Sequence, residues 1–257
     1  MSVPILLRAR EVTKAFQGFL AVSGADLEIS PGEIVGIIGP NGAGKSTFFN
    51  CLSGELVPTS GSVVFEGRDV TRATPEEHAR RGIGRTYQVP ATFEDMTVLE
   101  NVMVGAFLRH ARQADARAEA MRVLEFTGLA AQATRRARTL GTPGRKRLEI
   151  ARALATNPRL LLLDEALSGL TPSEIQQAIT LVRHIHQTGI TLVIVEHIME
   201  VVMTLAERVI VFNQGQIIAR GRPEQIVKDA TVIGAYLGTG RKSRRARRNG
   251  GAGACDG

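Results

Sequence analysis

Cysteine is scarce in this chain. Cys51 and Cys255 are the two present among 257 residues, far apart and without disulfide or metal-ligand spacing. A disulfide framework is excluded, and a reducing compartment fits best. Tryptophan is missing and aromatics make up 4%, so no aromatic-rich basic surface for stacking on nucleic acid stands out. Long apolar runs are missing as well. Stretches such as Leu160–Leu163 and Leu192–Val195 span four residues each, against the roughly 18–20 that a bilayer-crossing helix needs. Met1–Arg10 lacks the basic start and long apolar stretch of a signal peptide. Any membrane role is therefore expected to be peripheral.

What remains is an ordinary globular composition, 44% apolar and 22% charged. The net charge of +7 is unevenly placed, because the last 17 residues carry +5 of it. Arg241, Lys242, Arg244, Arg245, Arg247 and Arg248 stand there against Asp256 alone. The high isoelectric point thus describes a tail more than a domain. From Gly238 onward Gly and Arg dominate, which predicts a disordered end over 239–257 after one domain over 1–238. Contact of that tail with anionic lipid is the alternative to a plainly solvated end.

Strand and helix patterns alternate along the domain. Leu6–Val12 and Ala25–Ile29 read as short strands, and Glu33–Ile38 as a buried one. Residues after Lys45 read as a helix ending near Gly54, followed by strands at Ser62–Phe65 and Ile83–Thr86. From about Val89 to Arg138 the texture turns helical, with Val98–Leu108 and Ala114–Phe126 at helical spacing. Beyond it the pattern predicts a helix at Arg145–Ala155, a strand at Leu160–Asp164, a helix at Ser173–Gln187 and a strand at Thr191–Val195. A late hairpin is expected from Arg208–Phe212 and Gln216–Ala219. This alternation implies an α/β sheet with parallel crossovers.

Two motifs carry chemistry. Gly39–Ser46, GPNGAGKS, fits G-x-x-x-x-G-K-S/T between a strand and a helix. Gly42 and Gly44 let backbone N–H groups approach phosphate, and the following helix turns its positive end to the anion. Lys45 is expected to bridge the β- and γ-phosphates, Ser46 to ligate Mg²⁺ and Thr47 to meet the α-phosphate. The second motif, LLLLDE at Leu160–Glu165, ends an apolar strand in two acids at the carboxyl edge of the sheet. Asp164 is expected to hold Mg²⁺ and Glu165 to act as general base.

The order of these motifs resembles the ATPase subunits of ABC transporters. Gln88 in RTYQVP matches the family's Q-loop glutamine, His197 in VIVEHIME its switch histidine, and Phe16 in VTKAFQGFLAV its adenine-stacking aromatic. The resemblance covers about residues 4–238. It implies a P-loop NTPase of the ABC ATPase fold, α/β with a small antiparallel β subdomain and a helical insert at about 89–138. It implies ATP and Mg²⁺ as ligands, with Glu165, His197, Gln88 and Lys45 catalytic and Ser46, Gln88 and Asp164 on the metal. Nucleotide contacts fall on Phe16, Asn41, Gly42, Ala43, Gly44, Lys45, Ser46, Thr47, Gly141 and Gly144.

The closer resemblance is to the ATP-binding subunits that energise branched-chain amino-acid uptake. GFLAVSGADLEI, MTVLENVMVGAF, RKRLEIARALATNPRLLLLDEALSGLTPSE and the ending VFNQGQIIARGRPEQIVKDATVIGAYLG carry that likeness. Transporters of polar amino acids, urea or lipid share parts of it. The implied partners are two integral membrane permeases, a second ATP-binding subunit (making a hetero- or homodimer) and, indirectly, a solute-binding protein, with no specific nucleic acid. The implied location is the cytoplasmic face of the cell membrane, peripherally.

One stretch departs from the family. The L-S-G-G-Q signature is here Leu140-Gly141-Thr142-Pro143-Gly144. Gly141 lacks the serine hydroxyl and Pro143 lacks an N–H. Arg145 and Lys146, expected in the first turn of the next helix, are candidates to replace the lost phosphate contacts. Ala166 stands where the family has proline, and Thr171 where it often has aspartate. Two other readings stay open: a regulatory nucleotide-binding subunit of low turnover, suggested by the altered signature, and an ABC ATPase acting on nucleic acid or ribosomes, suggested by the basic tail.

Overall fold

The computed structural model describes residues 4–237. In chain order its elements are β1 (Leu7–Phe16), β2 (Phe19–Ile29), β3 (Ile34–Ile38), α1 (Lys45–Leu52), β4 (Ser60–Phe65), β5 (Arg68–Asp69), α2 (Pro75–Arg81) and β6 (Ile83–Arg85). Then come α3 (Val98–Ala106), α4 (Gln113–Phe126), α5 (Thr142–Leu154), β7 (Leu160–Asp164), α6 (Pro172–Gln187), β8 (Thr191–Val195) and α7 (Met199–Leu205). The described chain closes with β9 (Arg208–Asn213), β10 (Gln216–Gly221), α8 (Pro223–Ile226) and α9 (Ala230–Leu237).

The strands form two sheets. An antiparallel one runs β2-β1-β4-β5, and a larger one runs β10-β9-β3-β8-β7-β6. In the larger sheet β9, β3, β8, β7 and β6 are parallel, and β10 returns antiparallel as the expected hairpin. β3, β7 and β8 are buried at every position. Covered on both faces, they read in sequence as unbroken apolar runs.

Alternate residues of these strands feed two cores. Leu161, Leu163 and Ile194 face the helical side, with Val102, Leu124, Leu148 and Val182. Leu160, Leu162 and Val193 face the other side, with Phe48 and Phe49 of α1 and Leu7 and Val22 of the antiparallel sheet. The sheet is therefore a rigid central plate. β3, β8 and β7 are neighbours with their carboxyl ends level, since Ile37 and Asp164 both pair with Val195. Whatever follows those three strands lies along one edge.

The expected strands Leu160–Asp164 and Thr191–Val195 are observed with the same ends. α5 is a correction, because it starts at Thr142 with Pro143 in its first turn rather than at Arg145. Proline is tolerated there because first-turn N–H groups have no partner within the helix. Sequence reading missed α2, although Thr74-Pro75-Glu76-Glu77 spells its start. Thr74 and Glu77 exchange hydrogen bonds as a capping box, with proline in the first turn. It also missed α7 and the two-residue β5. The tail expected to be disordered lies outside the described residues. Among the described residues no helix is long and apolar enough to cross a membrane.

Candidate active site

The loop 39–44 leaves β3 and enters α1 at one edge of the plate. Two of its glycines, Gly39 and Gly44, are dictated by close packing. Gly39 has φ +149, and a Cβ there would strike the backbone oxygen of Phe212. Gly44, with φ +101, would strike the backbone oxygen of Ala21. The loop is held from outside by Gly215 N–H donating to the Ala43 oxygen at 2.9 Å. Ala43 is buried, whereas Asn41, Gly42 and Ser46 are exposed.

This loop leaves donors free. No side chain caps α1. Among the described residues the N–H groups of Gly44, Lys45, Ser46 and Thr47 have no backbone partner. Lys45 folds back over the loop, and its Nζ donates to the Gly39 oxygen at 2.8 Å and the Pro40 oxygen at 3.0 Å. Burial pushes its pKa down, opposed by the charges of Glu165 and Asp164. Among the described residues no carboxylate forms an ion pair with it. A row of free N–H groups at a helix N-terminus beside an unpaired cation fits an oligophosphate anion.

The acidic pair sits beside it at the end of β7. Asp164 is buried, and burial raises its pKa against the nearby Arg85 guanidinium, whose NH2 lies 3.7 Å from Oδ2. A further cation at Asp164 would favour its charged form, so this carboxylate fits a divalent ion. Glu165 has φ +45, a left-handed conformation that costs a non-glycine residue roughly 1–3 kcal/mol. Gln88 Nε2 donates to Glu165 Oε2 at 2.7 Å, and His197 Nδ1 lies 3.9 Å from the same oxygen. Since the Gln88 amide is engaged with Glu165, a contact from Gln88 to a metal requires that side chain to turn.

Lys45, Gln88, Asp164, Glu165 and His197 are thus gathered at one edge, carried on four separate segments. Phe16 is not joined to them by any described bond. It ends β1, is 42% exposed, pairs with Phe19 across the turn and lies under Lys14 Nζ at 5.2 Å. β2 reaches the loop instead, through Ala21 and Val22 against Gly44. Gly141 and Gly144 stand at the start of α5, which no side chain caps. Among the described residues no backbone hydrogen bond ties them to the loop 39–47.

Arg145 and Lys146 do not stand free beside the altered signature. Arg145 donates to the oxygens of Leu140 and Arg138. Lys146 turns inward, and its Nζ donates to the Glu165 oxygen at 2.7 Å and to Ser168 Oγ at 3.0 Å. The expected role of Lys146 as a substitute for the missing phosphate contacts is corrected accordingly, since its ammonium is buried against the Glu165 turn. Thr171 caps α6, its N–H donating to Glu174 at 2.7 Å.

Three further residues escaped sequence reading. Arg85 donates to Ser53 Oγ at 2.7 Å and Asn50 Oδ1 at 3.0 Å, linking α1 to Asp164. Glu149 on α5 accepts the Tyr87 N–H at 2.8 Å beside Gln88. Burial pushes its pKa up to about 7. Glu196 precedes His197 and accepts the Leu167 N–H at 2.8 Å. It too is pushed up to about 7, first by burial. Glu149 between apolar residues in LEI, and Glu196 directly after the apolar run LVIV, were the available signal, because a charge inside a buried pattern needs a partner.

Comparison with known proteins agrees with this geometry. The family model described as ABC transporter matches residues 22–168. One described as branched-chain amino acid ATP-binding cassette transporter matches residues 216–242. The high-affinity branched-chain amino acid transport ATP-binding protein LivG of Escherichia coli strain K12 is 40% identical, covering 93% of this chain and 99% of LivG. Its counterpart BraF of Pseudomonas aeruginosa is 38% identical with the same coverage. Among solved structures, the ADP conformation of MJ1267, an ATP-binding cassette of an ABC transporter, superposes with a TM-score of 0.83 at 33% identity. That match covers 91% of this chain and 99% of MJ1267.

Proposed function

This chain belongs to the ABC transporter ATP-binding family, and we propose that it hydrolyses ATP to drive uptake of branched-chain amino acids or related small amino acids and amides. The observation that carries the hydrolytic reading is Lys45, unpaired over a loop of free N–H groups, beside a Glu165 already held by Gln88. The uptake reading draws its support from LivG and BraF and from the family match over residues 216–242.

In this reading the loop N–H groups and Lys45 bind the triphosphate. Ser46 and Asp164 would hold Mg²⁺, with Gln88 able to join them by turning. The ion, when bound, neutralises charge on the phosphates. Glu165 accepts a proton from the attacking water as general base. Gln88 orients that carboxylate and senses the terminal phosphate. His197 Nδ1 lies 3.9 Å from the same carboxylate oxygen that Gln88 holds. Nucleotide contacts from Phe16, Gly141 and Gly144 belong to this proposal as well.

The chain works as a dimer of ATPase subunits beneath two permeases, on the cytoplasmic face of the membrane, fed by a solute-binding protein. A groove of about 300 Å³ lined by Tyr87, Val104, Leu108, Glu149 and Arg152 suits a permease helix, with Phe107 exposed nearby. The signature of one subunit completes the ATP site of the other. Gly141 and Pro143 offer that second site fewer donors. In a heterodimer the site built on Lys45 hydrolyses well and the opposite one is impaired.

The test is leucine uptake and ATP hydrolysis by the assembled complex in vesicles. Lys45→Ala should abolish both, while alanine at the partner's equivalent lysine should cost far less. Equal losses reject the asymmetry. Hydrolysis that persists in Lys45→Ala rejects the site, and hydrolysis without stimulated amino-acid uptake rejects the substrate class.

A further inference from the structure

The turn that carries the acidic pair is held from behind by groups the reaction does not use. Glu165 takes a left-handed backbone, φ +45, in a place where the chain has Ala166 rather than a rigid proline. A non-glycine residue stays in that conformation only where its surroundings over-determine it. Here they do. Glu165 N–H donates to the Val195 oxygen at 2.9 Å. Its carbonyl oxygen accepts Lys146 Nζ at 2.7 Å and Ser168 Oγ at 2.9 Å. Leu167 N–H is taken by Glu196 at 2.8 Å.

Lys146 is 7% exposed and Glu196 is 1% exposed. A buried ammonium without a paired carboxylate is costly, so its hydrogen bonds matter to its placement. Among the described residues Lys146 has no ion pair, and its bonds go to one carbonyl and one hydroxyl. Both belong to the turn bearing Glu165. The lysine itself lies two residues beyond Gly144, on the helix that opens with the altered signature.

We infer that Lys146 is a positioning residue: its ammonium fixes the Glu165–Ser168 turn and thereby ties the signature helix α5 to the general base of the same chain. The inference rests on the reading of Glu165 as base. It gives the two ATP sites a direct mechanical link. A shift of α5, whose N-terminus faces the partner's nucleotide in that reading, pulls on the Glu165 carbonyl of this chain's own site.

The test uses the assembled complex with Lys146→Met, which keeps an unbranched stem and removes the donors, and Lys146→Arg, which keeps charge and donors. In Lys146→Met kcat should fall roughly 10- to 100-fold from misplacement of the base, while KM and the affinity for a fluorescent ATP analogue stay unchanged. Lys146→Arg should recover a large part of the loss. Without nucleotide, the Leu167 and Ser168 amides should exchange hydrogen about tenfold faster in Lys146→Met.

A kcat near wild type, or a parallel loss of ATP affinity and melting temperature that Arg does not rescue, overturns the inference. Should Lys146→Met not assemble, Ser168→Ala removes the other side-chain donor to the same carbonyl. A lower kcat at constant KM then supports the linkage, and an unchanged kcat overturns it. Lys45→Ala run alongside separates the two ideas. If it leaves hydrolysis intact the ATP site itself is misread, whereas if it abolishes hydrolysis and Lys146→Met does not, only the positioning role falls.

Discussion

Two helix N-termini in this chain are proposed to face an anion, and they are packed very differently. α1 begins at Gly44, in a left-handed conformation with the backbone of β2 pressed against it. α5 begins at Gly141, in extended backbone, where a Cβ would meet nothing nearer than Pro143 Cδ at 3.8 Å. At α1 the ligand-facing geometry is the packing, so residue choice is closed. At α5 the helix start is sterically open, and Pro143 costs it no internal hydrogen bond. The fold therefore survives an altered signature while the donors offered to a ligand change.

The largest effect should come from chemistry at the α1 side. Glu165→Gln should lower hydrolysis by roughly 10²–10⁴-fold while ATP still binds, measured by single-turnover phosphate release and nucleotide binding. A wild-type rate would remove Glu165 as base and, with it, the claim that this side does the chemistry. Next, Gly44→Ala should weaken nucleotide binding about tenfold or more, because the loop must move off the Ala21 carbonyl. An unchanged affinity in a binding titration would break the contrast at its first term.

At the other helix the same experiment should run the opposite way. Gly141→Ser with Pro143→Gly restores a hydroxyl and an N–H where an anion is proposed to sit. Turnover at the partner's site should rise up to about tenfold, the worth of a hydrogen bond to a charged group. The readout is the residual hydrolysis in a Glu165→Gln background, where ATP still binds but this chain's own site is silenced, so that the partner's site is counted. No rise would show that the altered signature already works fully.

The smallest effect concerns Glu196, which holds the Leu167 N–H in the turn after Glu165. Glu196 is raised from the ordinary 4.5 to about 7, so the folded chain keeps a proton that the unfolded chain sheds. Stability is then greatest below the lower value and falls as pH rises through the upper one. Glu196→Gln cannot ionise yet still accepts the Leu167 N–H. Its melting temperature should drop less between pH 5 and 8 than that of the parent, by about 3–6 °C. Equal slopes would mean that Glu196 is already charged when folded.

Much of the site was legible because its signals are local. A strand, a glycine-rich turn and a helix in immediate succession describe the α1 loop, and an apolar strand ending in Asp164-Glu165 describes its neighbour. Gln88 and His197 were read through the resemblance of RTYQVP and VIVEHIME to family motifs, and the structure brings both to the Glu165 carboxylate. Phe16, matched to the family in the same way, ends β1 with an exposed ring, while the segment packed on the loop is Ala21–Val22.

The start of α5 was misplaced for a related reason. Proline and glycine read as breakers unless the capping geometry is known. Glu149, Glu196 and Lys146 were opaque because their partners lie 62, 29 and 19 residues away in sequence.

The amino-acid order alone determined which backbone could cradle an anion and which strands had to be buried, because glycine freedom and apolar periodicity act within a few residues. Only the folded structure decided that Lys146 turns inward to the Glu165 carbonyl. A buried ammonium takes whatever acceptor the packing brings to it, and that acceptor arrives from another strand.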